Sequence, residues 1–122
     1  MSEKTILLVG HCVPDEFMLR SAIRSIVPGA NVVKVKNEGA LQEHLASADL
    51  ALVNRVLDGR FESDDGIGLI ASLAPESSAK FMLVSNFADA QARAEAAGAV
   101  PGFGKSDMRS EETRRRVEAA LA

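Results

Sequence analysis

Residues 49–60 read DLALVNRVLDGR, and the fold turns on this stretch. Residues 50–53 form an uninterrupted apolar run. The run is too short for a helix and lacks the polar alternation of a strand with one wet face, so it reads as a strand buried on both faces. Such strands belong to parallel sheets covered by helices on each side. Asn54 closes the run and Arg55 follows. In the middle of a parallel sheet, Asn54 would stand at a carboxyl end, where open α/β folds gather their chemistry. A neutral amide there, in place of an acid, a nucleophile or a metal ligand, is what has to be explained.

The same pattern extends outward. Thr5–Val9 (TILLV) and Lys80–Val84 (KFMLV) are further apolar strands, and Asn31–Val35 (NVVKV) has one polar face. Pro14-Asp15 opens a first helix with Leu19, Ala22, Ile23 and Ile26 at helical spacing, and Pro28-Gly29 ends it. Asn37 caps a second helix with Leu41 and Leu45 on its inner face. A Gly- and Asp-rich loop precedes a third helix through Ile67, Ile70 and Leu73. Asp89 is placed to cap an alanine-rich fourth helix, which Gly98 ends. Residues 100–104 read as a weak fifth strand, and Ser110 with Glu111 and Glu112 starts a fifth helix with Val117 and Leu121 inside.

Five strand–helix units with short loops imply a single domain over residues 1–122, a doubly wound five-stranded parallel sheet. Pro101 cannot donate to a ladder, so the fifth strand belongs at an edge. That fits the order 2-1-3-4-5, with the third strand in the middle. The positions that carry chemistry then follow strands one, three, four and five: Gly10-His11-Cys12, Asn54-Arg55, Ser85-Asn86 and Lys105-Ser106.

Composition excludes several classes. With 47% hydrophobic and 25% charged residues the chain is globular rather than disordered. No apolar run approaches the roughly 18 residues of a membrane span. The start, MSEKTILLVG, has no secretory signal pattern, and a lone cysteine excludes an intrachain disulfide. A cytoplasmic location away from membranes is the expectation. A net charge of −3 gives the domain no reason to seek nucleic acid. Trp and Tyr are absent, which removes the usual platforms for stacking flavins or bases.

In "ILLVGHCVPDEFMLRSAI", "DLALVNRVLDG", "FMLVSN" and "AGAVPGFGKSD", in this order and spacing, the chain resembles the response-regulator receiver domain, the CheY-like fold, over essentially its whole length. The resemblance implies two acids after strand one that bind Mg²⁺, a phosphoacceptor Asp ending strand three, a Ser or Thr ending strand four and a Lys ending strand five. Carried over by position, these are Gly10 and His11, Asn54, Ser85 and Lys105. The last two match and the first three do not. Mg²⁺ takes hard oxygen ligands, which Gly10 and His11 do not supply. Asn54 lacks the carboxylate nucleophile. The implied pocket is therefore a degenerate one, with no catalytic residue, no cofactor and weak or absent Mg²⁺ binding. A Lys105 hydrogen bond to Asn54 or Ser85 would hold it without metal.

Three further departures follow from the same comparison. Gly102 stands where receivers often carry an aromatic residue, and Phe103 is one position off, on the opposite face of a strand. Ser106 replaces the usual proline after the lysine. The loop from Asn54 to Gly66 is longer than receivers commonly have.

The expected function is a stand-alone pseudo-receiver, a protein-interaction module of two-component signalling that works without phosphorylation. Its partner would be a histidine kinase or another component of such a system. By the resemblance, the partner face or a homodimer contact would be helix 4, strand 5 and helix 5, through Ala90, Arg93, Ala94, Gly102, Phe103, Arg109 and Arg115. One alternative is phosphorylation at a non-standard site in a phosphorelay, on Asp58, Asp64, Asp65 or His11, although a solvated acidic loop explains the three acids more simply. A second is a small flavodoxin-like enzyme or cofactor carrier, against which the short "GHCVPDE" turn counts. His11 with Cys12 at the crevice lacks the spacing of a zinc site. Ser85 has no evident orienting group for nucleophilic catalysis with His11. Arg109 and Arg114–Arg116 can pair with Glu111, Glu112 and Glu118 as a solvated face.

Overall fold

Four parallel strands form the sheet in the computed structural model, which describes residues 3–122: β1 (Thr5–Val9), β2 (Asn31–Val35), β3 (Leu50–Asn54) and β4 (Lys80–Val84). Their order is β2-β1-β3-β4, so β3 is interior as expected. Leu8 pairs with Leu52, and Leu52 with Met82. The helices are α1 (Val13–Ile26), α2 (Glu38–Leu45), α3 (Gly66–Leu73), α4 (Ala88–Ala96) and α5 (Glu111–Leu121).

The two-residue period of the strands divides the core into two layers. Leu7, Val9, Ala51, Val53, Phe81 and Leu83 pack with Leu41 of α2, Ile67 and Ile70 of α3, and Ala90 and Ala94 of α4. Ile6, Leu8, Leu50, Leu52, Met82 and Val84 pack with Leu19 and Ile23 of α1 and Val117 of α5. All four side chains from Leu50 to Val53 are fully buried, which is why that run carries no polar residue.

Caps place the helix starts. Pro14 lies in the first turn of α1, where a missing N–H is tolerated. Asn37, Asp65 and Ser110 accept hydrogen bonds from the amides of Ala40, Gly68 and Thr113 at the starts of α2, α3 and α5. Asp89 does not cap α4. Phe87 stands at that position with no oxygen to offer, and Asp89 sits inside the first turn, where its charge favours the positive helix end. Gly98, at φ +119°, follows α4 as expected.

The fifth strand is a correction. Residues 100–104 run beside β4, but only Phe103 bridges to Val84. The Val100 amide donates to Phe81 O at 2.9 Å and the Ser85 amide to Phe103 O at 3.0 Å. The next ladder bond would reach Leu83 O. Instead Gln91 of α4 inserts its side-chain amide, donating to Leu83 O at 2.9 Å, Ser85 O at 3.1 Å and Phe103 O at 3.3 Å. Arg116 of α5 donates to Gly102 O. Pro101 brings no N–H, and side chains from both flanking helices take the carbonyls a strand would have shared.

Candidate functional site

The carboxyl ends of the strands deliver Gly10, Asn54 and Ser85 to one end of the sheet, and the short 3₁₀ turn Lys105–Asp107 brings in Lys105. A crevice of about 210 Å³ opens there, lined by Asn54, Arg55, Val56, Ser85, Phe87 and Lys105 among others.

The amide of Asn54 is used as a donor. Its Nδ2 donates to Gly10 O at 3.1 Å and to Val56 O at 2.7 Å. Both partners are carbonyls, so the nitrogen must face them. These bonds begin a strap, residues 54–60, laid across the ends of β1 and β2. The Asp58 amide donates to Gly10 O at 2.9 Å, the Arg60 amide to Lys36 O at 2.9 Å and the Glu38 amide to Arg60 O at 2.8 Å. Leu57 lies over Gly10. A Cβ on Gly10 would come 2.7 Å from Leu57 Cδ2 and 3.2 Å from Leu57 Cα. Gly59 passes so close to Lys36 O that a Cβ there would sit 2.1 Å from it.

Lys36 fastens the strap. Its Nζ donates to His11 O at 2.5 Å and lies 3.3 Å from the Asp58 carboxylate. Both side chains are substantially exposed, so the ion pair alone contributes little. Lys36→Met is expected to lower stability by about 1 kcal/mol and to speed amide exchange at Asp58 and Arg60. Unchanged exchange at those amides would show that the strap holds without Lys36.

Lys105 takes a partner the sequence reading missed. Its Nζ donates to Asp15 Oδ2 of α1 at 2.5 Å, not to Asn54 or Ser85. The lysine holds the Asp15 carboxyl below its ordinary range, with the Cys12 side chain adding to the effect and burial opposing it. A depressed carboxyl contributes stability above its unfolded pKa and loses it as pH falls through the folded value. The Ser85 hydroxyl oxygen accepts from the Phe87 amide at 3.2 Å. Asn86 accepts from the Ser106 amide and hydroxyl at 3.2 and 3.0 Å, which ties the β4–α4 loop to the lysine turn.

His11 is not at the crevice with Cys12, as expected, but wholly buried. Its Nε2 lies 2.8 Å from Leu52 O and therefore carries the proton, while Nδ1 has no partner among the described residues. Protonation would bury a second N–H with no acceptor. Burial is the main cause lowering its pKa to about 4; the Leu52 bond opposes it, and the charge of Lys105 adds to the lowering. The unfolded chain then binds a proton below about pH 6.5 that the folded chain refuses. Stability is expected to fall by about 3 kcal/mol as pH drops through that window. His11→Gln, which keeps a donor for Leu52, should flatten this part of a urea-midpoint profile against pH. Parallel profiles would assign the loss elsewhere.

No protein-family profile matches the chain, and no curated protein sequence matches it. Solved structures do. A response regulator from Thermotoga maritima is 22% identical, with a TM-score of 0.77 and 98% of each chain covered. The signal receiver domain of a DNA-binding response regulator from Colwellia psychrerythraea is 17% identical, with a TM-score of 0.74 over 98% of each chain. A LuxR-family DNA-binding response regulator from Staphylococcus aureus is only 9% identical, yet has a TM-score of 0.76 over 98% of this chain and 99% of that one. The chain has the receiver fold.

The residues present at the receiver metal position do not fit Mg²⁺. Gly10 brings no ligand, His11 turns its ring into the core, and Asn54 presents its nitrogen to carbonyls. Leu57 covers the place where a side chain on residue 10 would project. Among the described residues, no group of three or more His, Cys, Asp and Glu side chains is placed to hold a metal ion. His11 is also bound to Leu52 rather than to Ser85, so no His–Ser pair forms.

The loop acids have structural work. Asp58 pairs with Lys36, and Asp65 caps α3 through Oδ1, which accepts from the Gly68 amide at 2.8 Å. Asp64 is exposed. Of the residues expected on a partner face, Ala90, Ala94, Gly102 and Phe103 are buried rather than exposed, because α4 and the 100–104 segment pack closely on β4, although Gly102 and Phe103 line a groove beside α4 and α5. Arg93, Arg109 and Arg115 are exposed. The α5 stripe is salt-bridged as expected, Arg114 to Glu118 at 3.8 Å and Arg115 and Arg116 to Glu112 at 3.7 and 2.8 Å.

Asp15, Lys36 and Leu57 were missed as site residues. Lys36 was findable, since it directly follows a strand at its carboxyl end, the rule that located the others. Asp15 carries only the signal of a helix opener in the sequence. Leu57 had no signal, because loop closure over Gly10 is a tertiary event.

Proposed function

We propose that this chain is an atypical receiver domain of two-component signalling that meets its partner, a histidine kinase or another component of such a system, without being phosphorylated. The carrying observation is the strap: Asn54 Nδ2 donates to Gly10 O and Val56 O, where a receiver would present an acid to a metal. The Lys105–Asp15 pair and the Lys36 bond to His11 O supply cations from the chain itself at the end of the sheet where a divalent ion would act. Acyl-phosphate chemistry needs a carboxylate nucleophile, and Asn54 offers none in the usual place. The exposed apolar side chains of Val13, Phe17, Val56 and Phe87 stand on the elements that surround this end of the sheet, which supports a protein contact there. Of the exposed arginines expected on a partner face, Arg109 donates to Ser21 Oγ and Arg115 pairs with Glu112, so among the described residues Arg93 is the one left for a partner or a second copy.

A Mg²⁺ titration followed by ¹H–¹⁵N NMR tests the metal side of this reading. The amides of Gly10, Asn54 and Asp58 should not move in a saturable way at millimolar Mg²⁺. Saturable shifts confined to those amides would contradict it.

A further inference from the structure

We propose that the groove between the C-terminal half of α5 and the amino end of β4 is a binding site for a small amphipathic carboxylate, a short aliphatic tail ending in one anionic group. It lies at the opposite end of the sheet from Asn54 and is independent of the reading above.

The groove exists because the chain leaves it unfilled. Residues 100–101 run beside the open edge of β4, where the Val100 amide donates to Phe81 O at 2.9 Å and Pro101 has no N–H to give. Arg116 of α5 donates to Gly102 O, one residue further on. Past Arg116, α5 presents Ala119 and Ala120 to the groove, and both are too short to close it. What remains is a space of about 260 Å³ lined by Lys80, Val100, Pro101, Arg116, Ala119 and Ala120.

These walls fix the chemistry of an occupant. Val100 and Ala120 pack against the core layer shared by α1 and α5, and Pro101 and Ala119 are exposed beside them. The remaining two lining residues are cations, and no carboxylate lines the groove. Arg116 is already held by Gly102 O and Glu112. Lys80 is exposed, and among the described residues no hydrogen bond or ion pair engages its ammonium. Asp49, which lines the adjoining groove with Lys80, accepts from the Thr5 amide through Oδ2 at 2.8 Å. A lysine at the mouth of an apolar groove can meet an anionic head while the tail covers the wall. The carboxyl end of α5 also borders that adjoining groove and carries partial negative charge, so a bare anion has little reason to bind and the tail is required. The volume falls below the range of about 300–1,000 Å³ usual for drug-sized ligands, which limits the tail to a few carbons.

The test is a titration with hexanoate followed by ¹H–¹⁵N NMR, against acetate and hexylammonium at matched ionic strength. Saturable shifts at Lys80, Val100, Ala119 and Ala120 are expected with hexanoate and not with the other two. Affinity should rise about threefold for each methylene added between butanoate and hexanoate. Lys80→Ala should weaken hexanoate about three- to fivefold, the worth of an exposed ion pair. Ala119→Leu, at an exposed helical position that accepts leucine, should fill the groove and weaken it about tenfold or more. Lys34→Ala, on the far edge strand β2, should leave it unchanged. No saturable shift, equal binding of hexylammonium, or an affinity untouched by both Lys80→Ala and Ala119→Leu overturns the site. Shifts of the same amides on raising the protein concentration alone, with a dimer in sedimentation equilibrium, would assign the groove to a second copy and overturn it as well.

Discussion

Asn54→Asp, the substitution that returns the receiver acid, is expected to destabilise the chain by about 2–3 kcal/mol at neutral pH. The native amide donates to Gly10 O and Val56 O. A carboxylate of the same shape cannot donate, so both bonds are lost and a negative charge faces two carbonyl oxygens. The variant also carries a signature that simple misfitting would lack. A protonated carboxyl can donate once, so the folded state should raise the new group's pKa. Its cost is then smallest below the unfolded carboxyl pKa and grows as pH rises through the folded value. Urea unfolding of variant and wild type at each pH measures the difference. A variant as stable as wild type at neutral pH would mean that Asn54 does not hold the strap.

Gly10→Asp, which returns the first acid of the metal pair, is expected to cost about 2–4 kcal/mol by backbone strain and overpacking together. Gly10 sits at φ +73°, in the left-handed region that a side chain disfavours. The new Cβ would meet Leu57 Cδ2 at 2.7 Å and Leu57 Cα at 3.2 Å. Leu57→Ala in the same chain removes the first contact and leaves the backbone one. A double-mutant cycle should therefore recover part of the loss, and no coupling between residues 10 and 57 would contradict the placement of the strap. The two changes that make the sequence more like a receiver are thus expected to weaken this one.

The sheet was legible because its strands carry the signal themselves. The run at 50–53 has no polar residue, and both its faces are buried. Caps at Asn37 and Ser110 were legible for the same local reason. Failures came where a side chain from elsewhere decided the outcome. Gln91 interrupts the edge pairing of residues 100–104, and nothing in that segment forecasts an amide arriving from α4. Asp15 takes Lys105 across 90 residues of sequence. That positions 10, 11 and 54 carry no acid could be read directly, but not how the chain fills the space there. That the space over Gly10 is closed by Leu57, tied by Asn54 and clamped by Lys36 depends on how a long loop folds back.

The most direct measurement is intact mass after incubation with acetyl phosphate and Mg²⁺, on the wild type and on Asn54→Asp. No phosphoryl adduct is expected on either, because Gly10 and His11 still deny the metal when residue 54 is a nucleophile. An adduct on the wild type, mapped to Asp58, Asp64, Asp65 or His11, would show that phosphorylation has moved rather than ceased. Stoichiometric modification of Asn54→Asp would show that one residue, and not the strapped pocket, separates this chain from a working receiver.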